Sequence, residues 1–363
     1  MNRVTVIGAG NGGVSMAAWL SLRGCLVSLY DKFDQALEGI KKAGGIKLKA
    51  PSTEGFAQID TVTSDIAVAL EGSDLIMVVT PAFAHGDVAR FCAPFLTKGQ
   101  KVILNPGRTA GAIEFRKTVK ENNPDARFTV AEAQSLLFAC RRTGPAEAVI
   151  YKIKKHMPLA ALPAQSTAEA LKAVVAWFPQ FAAAGDVLET SLMNIGAVFH
   201  PTPSLLNIGR IDAGEDFEYY MQGISPSVAS VLEELDAERV HLARAMGTNT
   251  MTVLEWLEDA YGTETGDASG IYEAVQRQEV YRGIAAPKDP STRYISEDVP
   301  MGLVPLSELA RLAGVPTPVM DSVITLAGAV HRRDYRKEGR NLRRLGLENM
   351  SVKEIRAFVT ETA

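Results

Sequence analysis

The sequence predicts two domains: an α/β domain built on a doubly wound sheet, followed by an all-helical domain. The chain has 363 residues, which suggests about two domains at roughly 150 residues each. In the first half, β-branched apolar runs alternate with helical segments, which is the pattern of an α/β fold. In the second half, apolar residues recur every three or four positions, as they do in amphipathic helices. We therefore predict one domain over residues 1–185 and a second over residues 186–363.

The first elements are a strand, a glycine-rich loop, a helix and a second strand. The strand "VTVIG" runs into "GAGNGG", in which Gly8, Gly10 and Gly13 satisfy G-x-G-x-x-G. This fingerprint, between a strand and a helix, is typical of a Rossmann-type dinucleotide-binding domain. Gly8 permits the tight turn, Gly10 leaves room for a pyrophosphate, and Gly13 lets the helix pack against the strand. The start of the helix, at Asn11 and Gly12, offers N–H groups to phosphates.

An acidic residue ends the second strand, "CLVSLYD". Asp31 lies about 20 residues after the glycine loop, where a carboxylate accepts hydrogen bonds from the adenosine ribose. The same carboxylate repels a 2′-phosphate, so the sequence favours NAD as the cofactor. Lys32 follows directly and could accommodate a phosphate, which leaves NADP open as the alternative.

Two later strands are each followed by a turn with candidate binding residues. A predicted strand over residues 75–79 runs into Thr80 and Pro81, and another strand ends near Asn105 and is followed by a Pro-Gly turn and Arg108. Ser135 has a similar position in "EAQSLLFACR". Because ligands bind beyond the carboxyl ends of strands in α/β sheets, nicotinamide and substrate are expected near these residues. Ordinary turn chemistry explains Thr80 and Pro81 equally well.

The clearest helix of the second half is "SPSVASVLEELDAERVHLARAMG". Ser225 is suited to cap its start, Pro226 fits the first turn, and Gly247 is suited to end it. The apolar stripe of this helix is Val228, Val231, Leu232, Leu235, Leu242, Ala243 and Met246.

Three residues of the second half could carry chemistry. His200 stands in the apolar run "NIGAVFHPTPSLL" before a predicted Pro-Thr-Pro turn, where packing and acid–base catalysis are about equally favoured. Arg293 and Asp298 lie in "STRYISEDVPMGLVPLSEL", which has no strong helix or strand pattern and is predicted to be a loop. Taken alone, Arg293 reads as a surface charge and Asp298 as a turn carboxylate.

The composition excludes several other classes of function. A net charge of −4 provides no basic surface for nucleic acid. The three cysteines form no C-x-x-C pair, which argues against a disulfide framework and fits a cytoplasmic protein. The histidines lack metal-ligand spacing, so no metal is predicted. No apolar run reaches the length of a membrane span. The expected partners are therefore small molecules, and the helical domain could support a homodimer.

Several stretches together resemble the opine dehydrogenase family of the octopine/nopaline type. They are "VIGAGNGG", "VVTPAFAH", "LNPGRTAGAIEF", "EAQSLLFACR", "NIGAVFHP", "LLNIGRID", "YYMQGISPSVASVLEELDAER" and "RYISEDVPMGLVP", and they span almost the whole chain in order. The resemblance implies a Rossmann domain followed by a helical domain. It also implies NAD(P)H-dependent reductive condensation of an α-keto acid, with pyruvate expected, with the amino group of an L-amino acid, and the reverse oxidation.

The resemblance also implies roles for individual residues. His200 matches the catalytic histidine of the family, Asp298 its carboxylate partner, and Arg293 the arginine that binds a substrate carboxylate, which we expect to be that of the keto acid. Arg108 and Ser135 match positions near the keto acid. Arg108 stands where some members have glutamine and Ser135 where some have threonine, so the keto acid preference stays open.

Two other interpretations remain at this point. A 2- or 3-hydroxy acid dehydrogenase with a similar two-domain plan could use the same histidine, aspartate and arginine, because a ketone also needs a proton and a carboxylate clamp. A non-catalytic NAD-binding sensor would bind cofactor without turnover. The joint presence of His200, Arg293 and Asp298 argues against the sensor.

Overall fold

The chain divides into two compact units. The computed structural model describes residues 2–261 and 268–361. One unit runs as far as Thr190 and also includes the described residues from Val359 onward, and the other spans Ser191–Phe358. The predicted boundary after residue 185 lies a few residues before this division.

All strands that the structure describes lie in the first unit. They are β1 (Arg3–Ile7), β2 (Leu26–Tyr30), β3 (Gly45–Ala50), β4 (Thr53–Gln58), β5 (Thr61–Thr63), β6 (Leu75–Val78), β7 (Lys101–Leu104), β8 (Thr129–Ala133), β9 (Phe138–Gly144), β10 (Glu147–Ile153), β11 (Met157–Leu162) and β12 (Phe181–Ala183).

The main sheet is a doubly wound sheet of the Rossmann type, as predicted. Its strand order is β12-β11-β8-β7-β6-β1-β2-β5. Neighbouring strands are parallel except β8 and β11, which are antiparallel. The strand order reverses at β1, which pairs with β2 on one side and β6 on the other. Ligands of such sheets bind beyond the carboxyl ends of the strands at this reversal.

A second, four-stranded sheet in the first unit was not predicted. Its order is β4-β3-β10-β9. Its strands mix exposed and buried residues and include the polar runs "GIKLKA" and "TEGFAQ". Such strands lack the continuous apolar runs that mark the buried strands of the main sheet.

The second unit is helical in the part that the structure describes, apart from an isolated bridge between Glu218 and Ala285. The helices of the first unit are α1 (Asn11–Ser21), α2 (Asp34–Ala43), α3 (Ile66–Leu70), α4 (His85–Cys92), α5 (Gly111–Asn122) and α6 (Thr167–Lys172). The helix α7 (Val187–Leu192) spans the division, and those that follow are α8 (Ile195–Phe199), α9 (Pro201–Leu206), α10 (Ile208–Asp212), α11 (Pro226–Ala245), α12 (Val253–Tyr261), α13 (Ile271–Gln276), α14 (Arg293–Ser296), α15 (Val304–Leu312), α16 (Pro318–His331), α17 (Tyr335–Glu338), α18 (Leu342–Leu345) and α19 (Val352–Thr360). Among the described helices, none combines the length and the apolar character needed to cross a bilayer.

Helix α11 confirms the sequence prediction for its ends. The Ser225 hydroxyl accepts a hydrogen bond from the backbone N–H of Val228 at 3.3 Å, and Pro226 occupies the first turn. Gly247, just beyond the helix, has a φ of +67°, which glycine adopts without strain. Most of the predicted apolar stripe is buried, so the periodicity identified the packed face.

Two local predictions near the candidate residues were wrong. The Pro-Thr-Pro segment begins helix α9, because a proline at the first helical position loses no hydrogen bond. The stretch predicted to be a loop forms α14 and then a π-helical turn over Val299–Leu303 before α15 begins. Segments of four or five residues are too short to show a helical period, so the sequence pattern did not reveal them.

Candidate active site

The glycine loop leaves β1 in a conformation that requires glycine. Gly8 has a φ of +108°, and its N–H donates to the Tyr30 carbonyl at 2.7 Å. A Cβ on Gly13 would lie 1.7 Å from the Gly8 carbonyl oxygen, so helix α1 packs against the loop only without a side chain there. A Cβ on Gly10 would meet nothing within 4 Å. The space in front of Gly10 is therefore open, which fits a pyrophosphate at the start of α1.

The start of α1 is held by a residue that the sequence reasoning missed. The Oδ1 atom of Asn11 accepts a hydrogen bond from the backbone N–H of Arg142 at 2.9 Å. The Arg142 guanidinium also donates to the carbonyls of Ala9 and Ala36, each at 2.9 Å. Gly12 is buried in the first turn, where a Cβ would lie 2.8 Å from a Val79 methyl group. These contacts hold the glycine loop on the side that packs against the protein and leave its opposite side exposed.

Asp31 is held rigidly at the end of β2. Its Oδ2 accepts from the Ala9 N–H at 2.7 Å, and its Oδ1 accepts from the Phe33 N–H at 2.9 Å. Each carboxylate oxygen keeps a further lone pair that can accept a ribose hydroxyl. The Lys32 side chain lies over the Phe33 ring, 4.9 Å from its centroid. Lys32 and Ser64 line an open cavity next to this strand end.

The turn after β6 lies against the glycine loop. The Val79 N–H donates to the Ile7 carbonyl at 2.9 Å, and a Cβ on Gly8 would meet the Thr80 methyl group at 3.0 Å. Thr80 and Pro81 therefore stand at the point where the strand order reverses. The structure brings these two predicted residues to the same edge as the glycine fingerprint.

Arg108 and Ser135 follow β7 and β8, which are adjacent strands of the same sheet. Arg108 is half-buried and has a φ of +59°. Ser135 accepts a hydrogen bond from the Lys154 Nζ at 2.9 Å, and the same ammonium donates to the Leu136 carbonyl at 2.7 Å. Burial and the nearby charge of Arg108 lower the pKa of Lys154 to about 8. Lys154 was missed because it belongs to "KIKKH", a charged run that reads as solvated.

In the second unit, His200 and Asp298 form a close pair. The His200 Nδ1 lies 2.9 Å from Oδ2 of Asp298. The Asp298 side chain is 2% exposed and the His200 side chain 20% exposed. Within the described part of the chain, the structure shows no hydrogen-bond partner for the His200 Nε2. One ring nitrogen is therefore fixed by a buried carboxylate, and the other is available to a ligand.

The backbone and ring of His200 are also held in place. His200 ends α8 and begins α9, and its carbonyl accepts from the Ser204 hydroxyl at 2.8 Å and the Tyr219 hydroxyl at 2.5 Å. Burial raises the pKa of Tyr219, so this phenol keeps the proton that it donates. The Tyr294 ring stacks on the imidazole, with centroids 4.4 Å apart and planes 16° from parallel. Sequence reasoning missed Tyr294, although it stands next to Arg293.

Arg293 begins α14, five residues before Asp298. Its side chain is 65% exposed, and its NH1 atom lies 3.4 Å from Oε2 of the buried Glu297. This guanidinium therefore stays largely open to solvent and to an anionic ligand. No group of three or more histidine, cysteine, aspartate or glutamate side chains is placed to hold a metal ion among the residues that the structure describes.

The fold and these sites define a class of protein: a two-domain NAD(P)-dependent oxidoreductase with a histidine–aspartate pair. Residues 183–331 match the family described as "NAD/NADP octopine/nopaline dehydrogenase, alpha-helical domain". Residues 3–140 match "NAD-dependent glycerol-3-phosphate dehydrogenase N-terminus". Both matches agree with the order of domains in the structure.

Comparison with individual proteins gives the family. The chain is 44% identical to the opine dehydrogenase of Arthrobacter sp. (strain 1C) over 354 residues, which cover 98% of each chain. Its fold is similar to octopine dehydrogenase in complex with NADH and L-arginine, with a TM-score of 0.84, 21% identity and 100% of both chains covered. It is also similar to yersinopine dehydrogenase with NADP+ bound, with a TM-score of 0.80, 16% identity and 98% and 99% coverage. The chain belongs to the opine dehydrogenase family.

Proposed function

We propose that this protein catalyses the NAD(P)H-dependent reductive condensation of an α-keto acid, with pyruvate expected, and an L-amino acid, and the reverse oxidation. The observation that carries this proposal is the pair of His200 and Asp298, 2.9 Å apart, in a chain that is 44% identical to an opine dehydrogenase. The product is a secondary amine with two carboxylates.

His200 is the acid and base of the proposed reaction. An imidazole exchanges a proton near neutral pH, and Asp298 at Nδ1 fixes the tautomer and stabilises the imidazolium. The proton is therefore exchanged at Nε2. Protonated His200 gives its proton to the keto oxygen while the neutral amine attacks the carbonyl carbon. The C–O bond then breaks, the oxygen leaves as water with a second proton taken from the amine nitrogen, and a C=N bond remains, whose carbon accepts the hydride. Such proton transfer typically contributes about 10²- to 10⁴-fold in rate.

Cationic and hydroxyl groups bind the substrates. The exposed Arg293 guanidinium offers two parallel N–H donors to a substrate carboxylate. Arg108 and Ser135, at the ends of two adjacent strands, contact the keto acid. These assignments follow the family resemblance and the placement of Arg108 and Ser135 beyond the carboxyl ends of β7 and β8.

The nicotinamide cofactor fits the first unit. The open space at Gly10, the absence of side chains at Gly8 and Gly13, and the fixed carboxylate of Asp31 match the needs of a dinucleotide. When bound, the reduced nicotinamide supplies the hydride that completes the reduction. We propose NAD as the preferred form, because a 2′-phosphate would stand against Asp31. Lys32 and Ser64 are the residues that could accommodate the 2′-phosphate of NADP.

One assay tests the proposal. Oxidation of NADH, and separately of NADPH, is followed with pyruvate alone and with pyruvate plus each member of a panel of L-amino acids. The proposed function predicts turnover that depends on one or a few amino acids. Turnover with pyruvate alone would instead identify a hydroxy acid dehydrogenase. Cofactor binding without turnover on any pair would identify a sensor.

A further inference from the structure

Lys154 is a charged residue to which the proposed mechanism gives no role. It follows β10, and its ammonium group reaches the loop after β8. There it donates to the Ser135 hydroxyl at 2.9 Å and to the Leu136 carbonyl at 2.7 Å. These two acceptors are neutral and use two of the three N–H donors of an ammonium. The contacts aim Lys154 at the strand ends where the keto acid is proposed to bind.

The charge of Lys154 is not neutralised by an acidic side chain. In the described ranges, no carboxylate lies within ion-pair distance of its Nζ, and the charged side chain that acts on it most strongly is Arg108. The positive charge of Arg108 disfavours the charged form of Lys154, because like charges repel each other. A bound anion would remove that repulsion and accept the remaining N–H. Like-charged cations at the ligand-binding edge of the sheet therefore point to an anion site.

The proposed reaction needs such a site. It brings two carboxylates together, one from the keto acid and one from the amino acid, whereas the Arg293 guanidinium can clamp only one of them, so a keto acid held by Lys154 leaves Arg293 for the amino acid rather than for the keto acid. We propose that Lys154 is a further substrate-binding residue, whose ammonium group, aimed by Ser135 and assisted by Arg108, holds the carboxylate of the α-keto acid. This inference rests on the proposed function, because that function places the keto acid at Arg108 and Ser135.

Substitution of Lys154 tests this role through the two Michaelis constants. Lys154→Met removes the ammonium and keeps the length of the stem. The KM for pyruvate should rise about 10- to 100-fold, the usual effect of losing a hydrogen bond from a charged group. The KM for the amino acid that gives the highest turnover in the panel should stay within about twofold. Lys155→Met is the matched control, because Lys155 is the adjacent residue, is exposed, and loses the same charge.

The pH dependence of the KM for pyruvate gives a second readout. It does not require the Lys154→Met variant to fold. Burial and Arg108 lower the pKa of Lys154 to about 8, while the nearby Cys140 thiol has its own pKa raised by burial and stays neutral. Lys154 therefore loses its charge as the pH rises through 8. The KM for pyruvate should rise above pH 8 in the unmodified protein. In Lys154→Arg this rise should be absent, because arginine stays charged.

Pyruvate binding can also be measured directly, by calorimetry on the NADH-bound protein without an amine. Weaker binding in Lys154→Met but not in Lys155→Met supports the inference. An unchanged KM for pyruvate, or equal increases for pyruvate and the amino acid, overturns it. If NADH oxidation with pyruvate needs no amine, the proposed function fails, but the comparison of pyruvate KM values still decides whether Lys154 binds a keto acid.

Discussion

At the residue scale, the geometry around His200 gives a direct prediction for its removal. His200→Ala removes the imidazole that exchanges a proton with the substrate, so turnover should fall about 10²- to 10⁴-fold. NADH binding should persist, because the glycine fingerprint and Asp31 lie elsewhere in the chain. Fluorescence titration with NADH and steady-state kinetics measure the two effects. His241→Ala, at an exposed position of α11, is the control and should keep normal turnover. Near-normal turnover in His200→Ala would contradict the catalytic role.

Tyr294 acts on the reaction through His200, so it is a positioning residue. Its ring stacks on the imidazole at 4.4 Å between centroids, and a flat aromatic surface restricts the ring of His200 to one orientation. Tyr294→Leu should lower kcat several-fold and leave the affinity for NADH unchanged. Tyr294→Phe keeps the aromatic face and should restore most of the kcat. Equal kcat values in the leucine and phenylalanine variants would show that the stack does not position the histidine.

The sequence revealed some of these residues and not others, for a physical reason. His200 and Asp298 were recognised because they stand in motifs that resemble a known family, although 98 positions separate them. Lys154, Arg142 and Tyr294 take their roles from contacts with distant parts of their own units. Such contacts leave no local pattern of charge or hydrophobicity, so the sequence alone could not single them out.

At the scale of elements, the glycine fingerprint combines two separable functions. A Cβ on Gly13 would lie 1.7 Å from the Gly8 carbonyl oxygen, so Gly13→Ala must push α1 away from β1. Gly10 has a φ of −76° and open space around it, so Gly10→Ala introduces no strain. We expect Gly13→Ala to lower the melting temperature by several degrees. Gly10→Ala should keep the melting temperature and weaken NADH binding, because the methyl group occupies the space for the pyrophosphate.

Thermal melting without ligand and NADH titration, applied to both variants, separate the two functions. A Gly10→Ala variant that binds NADH normally would mean that the open space is not used by the cofactor. A Gly13→Ala variant as stable as the unmodified protein would mean that α1 shifts without loss of packing.

The elements that could be predicted from the sequence are those marked by a local pattern of residues. The first strand, the glycine loop, α1 and the second strand were found because turn chemistry and apolar runs coincide there. Helix α11, 20 residues long, was found because its period repeats over several turns. The second sheet and the short helices α9 and α14 were missed, since their segments are too short or too polar for a period to appear. Their conformation is decided by packing within each unit.

At the scale of the whole molecule, the division into two compact units determines where the cofactor should stabilise the chain. The residues proposed to hold the dinucleotide, the glycine loop, Asp31 and Thr80, all belong to the first unit. A ligand present at 100 times its Kd stabilises the structure that binds it by about 2.7 kcal/mol. Because each compact unit has its own core, local and partial unfolding is expected to follow the units.

We therefore expect NADH to slow amide hydrogen exchange mainly in the first unit, most strongly in β1, β2 and β6, whose ends form the proposed cofactor site. Amides of Ser191–Phe358 should be slowed much less. Hydrogen exchange followed by mass spectrometry, with and without NADH, measures both regions in one experiment. Gly10→Ala at the same NADH concentration is the control and should show weaker protection. Equal protection of both units would mean that the chain opens as a single cooperative structure, because stabilisation at the glycine loop would then reach every helix of the second unit.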